Sequence, residues 1–324
     1  MKAGDMEREN AVYPKWLLVV LATALVHTAG CSSKRIAGPA EFNPEFRFDP
    51  YEIVELDMSE RWYNWMYPIG FDLDFPHDAD GVIVSYWNNG YHYHPWQVAD
   101  KAIWYLAGYQ QTSDERYLDF VYSYARRLAL MGIRKESGIF LPYTFDYALH
   151  AGNENEVMMY PWFSGLAQGN ALSFFSRAYE TTGDNYFKAL ADSLFNTFML
   201  IDSDSDIWTV FVDSLNYYWI EEYPFSPKTH VLNGFLTAIF GLYDYYLISH
   251  DGRCAILFEA SCTTIARYVH EFRNPGDISF YCLLHKAPLL GYHHLVIQQL
   301  RYMTDITSAE YFGAFADTLE ADHE

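Results

Sequence analysis

Basic residues and cysteines are scarce in this sequence, and each shortage excludes a class of function. The 324 residues include 21 lysines and arginines against 42 aspartates and glutamates, which gives a formal net charge of -21. Because contacts to phosphates need many lysines and arginines, this balance argues against a nucleic-acid partner. The four cysteines show no C-x-x-C or similar metal-ligand spacing, so we predict neither a metal site nor a cofactor.

The cysteines also give no sign of a disulfide bond. Cys254 and Cys262 lie two turns apart on a predicted helix, and a rise of about 1.5 Å per residue separates them by roughly 12 Å. This distance is too long for a disulfide bond. We expect both residues, together with Cys282, to be buried free thiols.

The apolar run near the N-terminus, WLLVVLATALV at residues 16–26, is too short to span a bilayer as a stable anchor. It has the length of a signal-peptide core, and the motif HTAGC that follows resembles a bacterial lipoprotein cleavage site. We therefore expect residues 1–30 to be a lipoprotein signal peptide and Cys31 to be acylated. A lipid anchor alone would then hold the protein at the bacterial cell envelope, on the outer membrane or facing the periplasm. Simple secretion is the alternative.

Aromatic and other apolar residues are abundant. Hydrophobic residues make up 51% of the chain and aromatic residues 19%, with 28 tyrosines and 9 tryptophans, which is enough for a sizeable core. Tyrosine and tryptophan combine apolar area with a polar tip, and they are the usual platforms for sugar rings. The composition therefore fits a folded domain and is compatible with a carbohydrate ligand.

Composition divides the rest of the chain into three parts. Residues 31–50 contain several prolines and indicate a tether. Residues 51–94 are rich in aromatics, glycine and proline, and a strand-like run at 81–87 precedes an Asn-Asn-Gly turn. This pattern predicts a small extended or β layer. Residues 95–324 have a helical pattern and form the predicted main domain.

The helical part repeats itself. Each copy of the repeat predicts the end of one helix, a polar turn and a second helix. The turns fall at Asp114, Asp184, Asp251 and Ser308. A repeat of helical hairpins at roughly 55 to 70 residues is typical of a solenoid or a closed ring, and four hairpins supply about eight helices.

The two helices of a hairpin differ in polarity, which favours a ring. The first helix is apolar over a wide face, as in LNGFLTAIFGLYDYYLI at 232–248, whereas the second carries more charge. We therefore predict a mainly α protein, an α/α toroid in the form of an incomplete barrel of about four helical hairpins, with a short N-terminal extended or β segment. The polar residues that open the inner helices would gather at one end of the ring.

Three motifs precede or open inner helices. They are PWFSGLAQGNA at 161–171, EEYPFSPKTHVLNGF at 221–235, and Y-x-L-x-H at 281–285 followed by GYHH. In this order they resemble the C-terminal catalytic domain of glucuronyl carbon-5 epimerases, from about residue 90 to the end of the chain. The resemblance implies an isomerase that inverts D-glucuronate to L-iduronate within heparosan-type polysaccharides, so a uronic-acid polysaccharide is the expected partner.

The resemblance also implies the site residues. The catalytic set is one carboxylate and three phenols: Glu222, Tyr223, Tyr281 and Tyr292. We predict that five polar residues contact the substrate: Gln97, Gln168, Asn233, His285 and His293. Gln97 comes from a further segment that opens an inner helix, HPWQVAD at 94–100, and matches a glutamine of the family's first-helix motif. Leu284 departs from the family pattern, which has at this position an arginine expected to hold the uronate carboxylate. Lys228, Arg273 and Lys286 are the candidates to supply that charge.

The chemistry of epimerisation calls for these residue types. A proton next to a carboxylate must leave from one face of the sugar and return to the other, so one group accepts it and another donates. An unperturbed tyrosine has a pKa near 10 and is ready to donate at neutral pH. Glu222 beside Tyr223 supplies an acceptor that takes the proton through the phenol or orients it.

Two other classes of function remain open. A polysaccharide lyase on the same toroid would use the same proton abstraction, whereas a glycoside hydrolase needs a second carboxylate, for which Asp146 is the best candidate. A non-catalytic envelope lipoprotein that binds glycan through aromatic residues is the second alternative. The sequence is also compatible with a homodimer.

Overall fold

The computed structural model describes residues 44–88, 90–149, 155–201 and 206–323. All of them fall within one of the two units of the chain, Ile36–Glu324. The predicted signal peptide and Cys31 lie outside the described residues, so the lipid anchor stays a prediction. In the described ranges, no helix is both long enough and apolar enough to cross a membrane.

The described residues contain eight α-helices arranged as four hairpins. They are α1 (Pro95–Thr112), α2 (Glu115–Met131), α3 (Gly165–Thr182), α4 (Asn185–Phe198), α5 (Leu232–Ser249), α6 (Gly252–Tyr268), α7 (Leu290–Thr307) and α8 (Glu310–Ala321). The two helices of every hairpin pack against each other. The predicted mainly helical fold with four hairpins is confirmed.

The hairpin turns share a local mechanism. In three of them the second helix begins at an aspartate whose side chain accepts a hydrogen bond from the backbone N–H two residues later: Asp114, Asp184 and Asp251. Such a bond satisfies one of the unpaired N–H groups at the start of a helix. In the fourth turn Ser308 adopts the left-handed conformation that ends α7. The repeat in the sequence is therefore a helix-capping signal.

The inner helices pack in chain order, α1 on α3, α3 on α5 and α5 on α7. The contact between α3 and α5 is especially close, since a Cβ added at Gly169 would lie 2.3 Å from Ala238 Cα. A Cβ added at Gly241 would lie 2.2 Å from the carbonyl oxygen of Gly169. Gly169 is therefore required by a neighbouring helix rather than by a ligand. Among the described residues no comparable contact joins α7 back to α1, so the barrel is incomplete.

The segment before β1 packs along the inner helices. The Trp62 ring contacts the rings of Phe240 on α5 and Tyr302 on α7, with centroids 5.1 and 5.7 Å away. The neighbouring Tyr63 hydroxyl donates a hydrogen bond of 2.5 Å to Asn170 on α3. This segment therefore connects three of the four inner helices and adds an aromatic wall to the ring.

Short strands connect the helical hairpins and carry the loops of the site. They form four antiparallel pairs: β1 (Ser85–Trp87) with β2 (Gly90–His92), β3 (Ile133–Lys135) with β4 (Gly138–Phe140), β5 (Tyr147–Ala148) with β6 (Val157–Met158), and β7 (Val210–Val212) with β8 (Tyr218–Ile220). Isolated bridges between Tyr143 and Trp162 and between Val231 and Cys282 fix further loops at the starts of α3 and α5. Segments from several hairpins thus meet at the N-terminal ends of the inner helices.

Candidate active site

Glu221 and Glu222 follow strand β8 directly, yet their carboxylates have different surroundings. Glu221 is fully buried, and its Oε2 accepts a hydrogen bond of 2.9 Å from the Thr229 hydroxyl. Its Oε1 lies 2.8 Å from His230 Nδ1, and the backbone N–H of His230 donates to the same carboxylate. Both oxygens of Glu221 therefore serve to hold the loop before α5.

Glu222 instead contacts the start of α5 and the loop before α7, residues 273–289. The Tyr281 hydroxyl donates a hydrogen bond of 3.1 Å to Glu222 Oε1. The other oxygen, Oε2, is buried and has no hydrogen-bond partner among the residues that the structure describes. A Cβ added at Gly234 would lie 2.3 Å from this oxygen. Burial raises the pKa of Glu222 to about 7, and hydrogen bonds from Tyr223 and Tyr281 oppose the rise. A carboxyl group with such a pKa both accepts and releases a proton near neutral pH.

Three phenols converge on Glu222. The hydroxyls of Tyr223 and Tyr281 are 3.4 Å apart, and the ring centroids of Tyr281 and Tyr292 are 4.6 Å apart. Tyr223 and Tyr281 are 9% and 6% exposed, whereas Tyr292 is 41% exposed. Burial, with the charge of Glu222 adding to it, raises the pKa of all three phenols, to about 12 for Tyr292. The four residues predicted to be catalytic therefore lie together.

Two aromatic residues without a role in the sequence analysis line the same site. Tyr147 on β5 stacks on Tyr223, with ring centroids 5.6 Å apart and an angle of 12° between planes. The Trp162 centroid is 6.0 Å from that of Tyr223. Tyr147 also contributes to the raised pKa of Tyr281 and Tyr292. Tyr147 is the last residue of the segment LPYTFDY, residues 141–147. No local signal in the sequence distinguishes it from the other tyrosines.

Two predicted substrate-binding residues occupy the first turns of inner helices. Asn233 on α5 is adjacent to Gly234, and its Oδ1 is buried without a hydrogen-bond partner among the described residues. Gln97 on α1 uses its Oε1 to accept a hydrogen bond from the Ser85 hydroxyl, which ties α1 to β1. Asn233 therefore lies beside the cluster around Glu222, and contact of either side chain with a substrate stays a prediction.

Gln168 lies inside the protein core. Its Oε1 accepts a hydrogen bond of 2.9 Å from the backbone N–H of Leu141. Its Nε2 donates to the carbonyl oxygen of Ile139 at 2.9 Å and to the Thr197 hydroxyl at 3.0 Å. These bonds join α3 to β4 and α4, and the side chain is fully buried. The predicted role of Gln168 in substrate binding does not fit this placement, because the fold already uses its amide.

The two histidines predicted to bind substrate, His285 and His293, both make contacts that hold the loop before α7 in place. His285 Nε2 lies 2.7 Å from Glu156 Oε2, and its Nδ1 lies 3.4 Å from Cys282 Sγ. His293 is 1% exposed, and its Nδ1 accepts a hydrogen bond of 3.0 Å from the backbone N–H of Ser279. His285 therefore ties the loop before α7 to the β5–β6 hairpin, and His293 fixes the start of α7 on that loop. Substrate contact by either residue stays a prediction.

The wall beside the phenols is apolar at Leu284, which packs against the hydrophobic cluster that contains Tyr223 and Tyr281. The three candidate cations contact other groups: Lys228 lies over the Trp208 ring, Arg273 pairs with Asp322, and Lys286 lies over the Phe280 ring. In the part of the chain that the structure describes, no group of three or more histidine, cysteine or acidic side chains is arranged to hold a metal ion. The site is therefore built from phenols, one carboxyl group and apolar walls.

Comparison with known proteins places this site in a family context. Residues 134–320, more than half of the chain, match the family model described as D-glucuronyl C5-epimerase C-terminus. A D-glucuronyl C5-epimerase from Caenorhabditis elegans is 38% identical over 93 residues, which cover 28% of this chain and 14% of that protein. An uncharacterized protein from Methanocaldococcus jannaschii is 25% identical over 171 residues, or 52% of this chain and 53% of that protein. The chain thus spans about half or less of the length of these curated relatives.

Solved structures share the fold at low sequence identity. Cellobiose 2-epimerase from Bacillus thermoamylovorans B4167 has a TM-score of 0.50 at 12% identity, covering 70% of this chain and 59% of that chain. An inactive variant of the α-1,6-mannanase GH76A of Salegentibacter sp. HEL1_6, in complex with α-1,6-mannotetrose, has a TM-score of 0.50 at 14% identity, covering 76% and 64%. These similarities show the α/α toroid alone. Because the family model covers more than half of the sequence, the chain belongs to the family of the D-glucuronyl C5-epimerase C-terminal domain.

Proposed function

We propose that the protein inverts carbon 5 of D-glucuronate residues to L-iduronate in a heparosan-like uronic-acid polysaccharide. The observation that carries this proposal is the hydrogen-bonded group of Glu222, Tyr281 and Tyr223, with the ring of Tyr292 beside it. These side chains come from the turn after β8, the loop before α7 and α7 itself. They supply an acceptor and several donors around one position, as inversion at a single carbon requires.

The carboxyl group of Glu222 is the proton acceptor in this proposal. Tyr281 contacts both Glu222 and Tyr223, so a phenol that receives the proton from carbon 5 passes its own proton to the carboxylate. A buried tyrosine alone is a poor proton acceptor at neutral pH, because burial raises its pKa further above 10 and so keeps it protonated. Glu222, with a pKa of about 7, is partly ionised at neutral pH and suits the task. The N-terminus of α5, which lies against it at Gly234, favours negative charge.

The second face of the sugar needs a proton donor. We assign this role to Tyr292, which belongs to α7 and is the most exposed phenol of the catalytic set. Its pKa of about 12 keeps it protonated at neutral pH, so it enters the reaction ready to donate. Tyr147, stacked on Tyr223, offers a further phenol from β5 and would contact the same sugar.

Isotope exchange tests the proposal directly. The protein is incubated with uronic-acid polysaccharides in deuterated water, and deuterium at carbon 5 is followed together with chain length. We expect deuterium to enter without cleavage. Tyr223→Phe and Tyr292→Phe should abolish exchange at an unchanged Tm, whereas Tyr311→Phe, an exposed tyrosine on the outer helix α8, should exchange like the wild type.

Other outcomes would point elsewhere. An unsaturated product that absorbs ultraviolet light would indicate a lyase, which shares the abstraction step. If no uronate polymer shows exchange, the proposed epimerase activity is ruled out. Unchanged exchange rates in both the Tyr223 and Tyr292 variants would refute the roles assigned to these two tyrosines.

A further inference from the structure

A cavity of about 450 Å³ opens at the end of the ring that lies away from the catalytic residues. It is formed by the second half of α1, the last turns of α3 and several residues between Met58 and Met66. Arg177, in its lining, follows the start of α3 at Gly165 by 12 residues, or roughly 18 Å at 1.5 Å per residue. The volume is typical of small-molecule sites, which span about 300–1,000 Å³. A ligand in this cavity would therefore be distant from the sugar held at the phenols.

The lining of the cavity is apolar in one part and polar in another. The apolar side chains are those of Met58, Met66, Ile103, Leu106 and Ala107. Polar side chains include Ser59, Asn64 and Gln111. Gln111 Nε2 donates a hydrogen bond of 2.7 Å to the carbonyl oxygen of Met66, which leaves the Oε1 of this amide as an acceptor. Such a lining suits a molecule with an apolar face and a rim of hydrogen-bonding groups.

Arg177 brings to this lining a guanidinium group whose hydrogen-bonding capacity is only partly used. The side chain is 5% exposed, and its Nε donates a hydrogen bond of 2.7 Å to Asp244 Oδ2. Its Nη2 is buried without a hydrogen-bond partner among the described residues, and its Nη1 donates to the Met58 sulfur at 3.6 Å. A thioether is a weak acceptor on a flexible side chain. A ligand oxygen that displaces Met58 would therefore gain a charge-assisted hydrogen bond from Arg177.

The charges around the cavity favour an uncharged ligand. Glu180, the acidic residue of the lining, accepts two hydrogen bonds of 2.6 and 3.0 Å from Arg61. Arg177 pairs with Asp244, so the four charged side chains sum to zero. An anion here would lie beside the Glu180 carboxylate without a counter-charge of its own, which is costly in a partly buried site. A hydroxyl group, in contrast, can donate to Glu180 and accept from Arg177.

We propose that this cavity binds an uncharged sugar, separately from the catalytic residues. A pyranose ring offers an apolar C–H face to the methionine and aliphatic side chains, and its hydroxyl groups both donate and accept. One hydroxyl oxygen accepts from Arg177, and hydroxyl protons are donated to Glu180 and to Gln111 Oε1. The inference does not depend on the proposed epimerase function, because none of the catalytic side chains lines this cavity.

Methionine methyl groups report directly on where a sugar binds. Met58 and Met66 line this cavity, whereas Met159 lies beside Trp162 at the catalytic end. Protein with isotopically labelled methionine methyl groups is titrated with methyl glucoside, and Met→Leu variants assign the NMR signals. We expect the signals of Met58 and Met66 to shift with a Kd of about 1 mM or below, and that of Met159 to stay unchanged. No shift at Met58 and Met66 at about 50 mM, where such a site is almost full, would overturn the proposal.

A pair of serine variants tests the cavity without disturbing the buried ion pairs. Ser59 is an exposed residue of the lining, and Ser59→Trp places a large side chain in the space that the sugar would occupy. We expect the affinity for methyl glucoside, followed at Met66, to fall at least about tenfold at an unchanged Tm. Ser137→Trp, at the exposed turn between β3 and β4, is the matched control and should bind like the wild type. Equal affinity of the two variants would place the sugar elsewhere and overturn the site.

A matched pair of ligands tests the charge argument. Methyl glucuronide differs from methyl glucoside only in a carboxylate that replaces the hydroxymethyl group. Because this carboxylate would lie near Glu180 without a free counter-charge, we expect the glucuronide to bind at least about tenfold more weakly at Met58 and Met66. Equal or tighter binding of the glucuronide would overturn the assignment of an uncharged ligand.

Discussion

The Tyr281 hydroxyl donates a hydrogen bond of 3.1 Å to Glu222 Oε1, while the other oxygen of that carboxylate is buried against Gly234. This contact joins the turn after β8 to the loop before α7. The ionised carboxylate accepts the bond, whereas the protonated one has a proton to donate in its place. The charge of Glu222 and the orientation of the phenol are therefore coupled.

Replacing Glu222 by glutamine should abolish exchange and preserve the fold. The amide matches the shape of the carboxyl group but cannot take up the proton, and a general acid–base residue contributes about 100-fold or more. We expect deuterium incorporation to fall by at least about that factor, measured by NMR at carbon 5. Circular dichroism should show an unchanged helical content.

Glu221→Gln is the matched control for that substitution. Glu221 accepts hydrogen bonds from the Thr229 hydroxyl and the backbone of His230, and an amide nitrogen cannot accept them. The variant should therefore melt at a lower temperature, while its folded molecules keep their exchange activity. The same loss of exchange in both variants would contradict the division of roles between the two acids.

The raised pKa of Glu222 should appear in the pH dependence of stability. Below about pH 4.5 this side chain is protonated in the folded and the unfolded protein. Between about 4.5 and 7 only the folded protein keeps the proton, so the contribution of Glu222 to the free energy of unfolding is lost as the pH rises through this window. The loss should amount to roughly 3 kcal/mol, and urea unfolding of the wild type against Glu222→Gln measures it.

The rate of deuterium exchange should rise with pH, whereas the contribution of Glu222 to stability falls. The acceptor must be ionised, so exchange should rise between pH 6 and 8 with a midpoint near the pKa of about 7.

The outcome that would contradict the stability prediction is a difference between wild type and Glu222→Gln that does not change with pH. Such a result would count against a buried carboxyl group with a raised pKa.

Gly234→Ala should disturb the site, because the new Cβ would lie 2.3 Å from Glu222 Oε2 and 2.7 Å from Glu222 Cβ. We expect a loss of about 1–3 kcal/mol in the free energy of unfolding, typical of overpacking, together with reduced exchange. Gly291→Ala is the matched control, since Gly291 also lies in the first turn of an inner helix and has open space around it. That variant should gain up to about 1 kcal/mol from helix propensity. Equal stability of the two variants in thermal unfolding would argue against the contact.

Gln168→Met should separate a structural role from a role in binding. The substitution keeps the volume of the side chain but leaves the Leu141 N–H and the Ile139 carbonyl without their partner. We expect a loss of about 1–3 kcal/mol in the free energy of unfolding, with KM unchanged for the folded protein. Gln110→Met, an exposed position on α1, should change stability by less than about 0.5 kcal/mol. A raised KM without a loss of stability would restore Gln168 to the substrate site.

The helical hairpins could be predicted because their signals are local. An aspartate that caps a helix bonds a backbone N–H two residues away, so Asp114, Asp184 and Asp251 identify their turns without any tertiary information. The apolar faces of the first helices indicated that these helices lie inside the ring. The motifs that resemble those of the family indicated that Glu222 and the three phenols lie together. All of these features depend on residues near one another in the chain or on motif order.

The division of labour within the site could not be predicted, because it depends on contacts between distant segments. Glu221 and Glu222 are identical side chains in adjacent positions, and only packing directs one to the loop before α5 and the other to Tyr281. Tyr147 belongs to a strand of two residues and enters the site by stacking on Tyr223. Gln168 stands in a catalytic motif, yet its amide faces Leu141.

The sequence by itself determined the helices, their pairing into hairpins and the residue types that epimerisation requires. The tertiary structure alone decided that the pKa of Glu222 is raised, which phenols share its surroundings and which polar side chains support the fold. The physical reason is that capping and periodicity act over a few residues, whereas the burial that raises the pKa of Glu222 arises only when β8, α5 and the loop before α7 pack together.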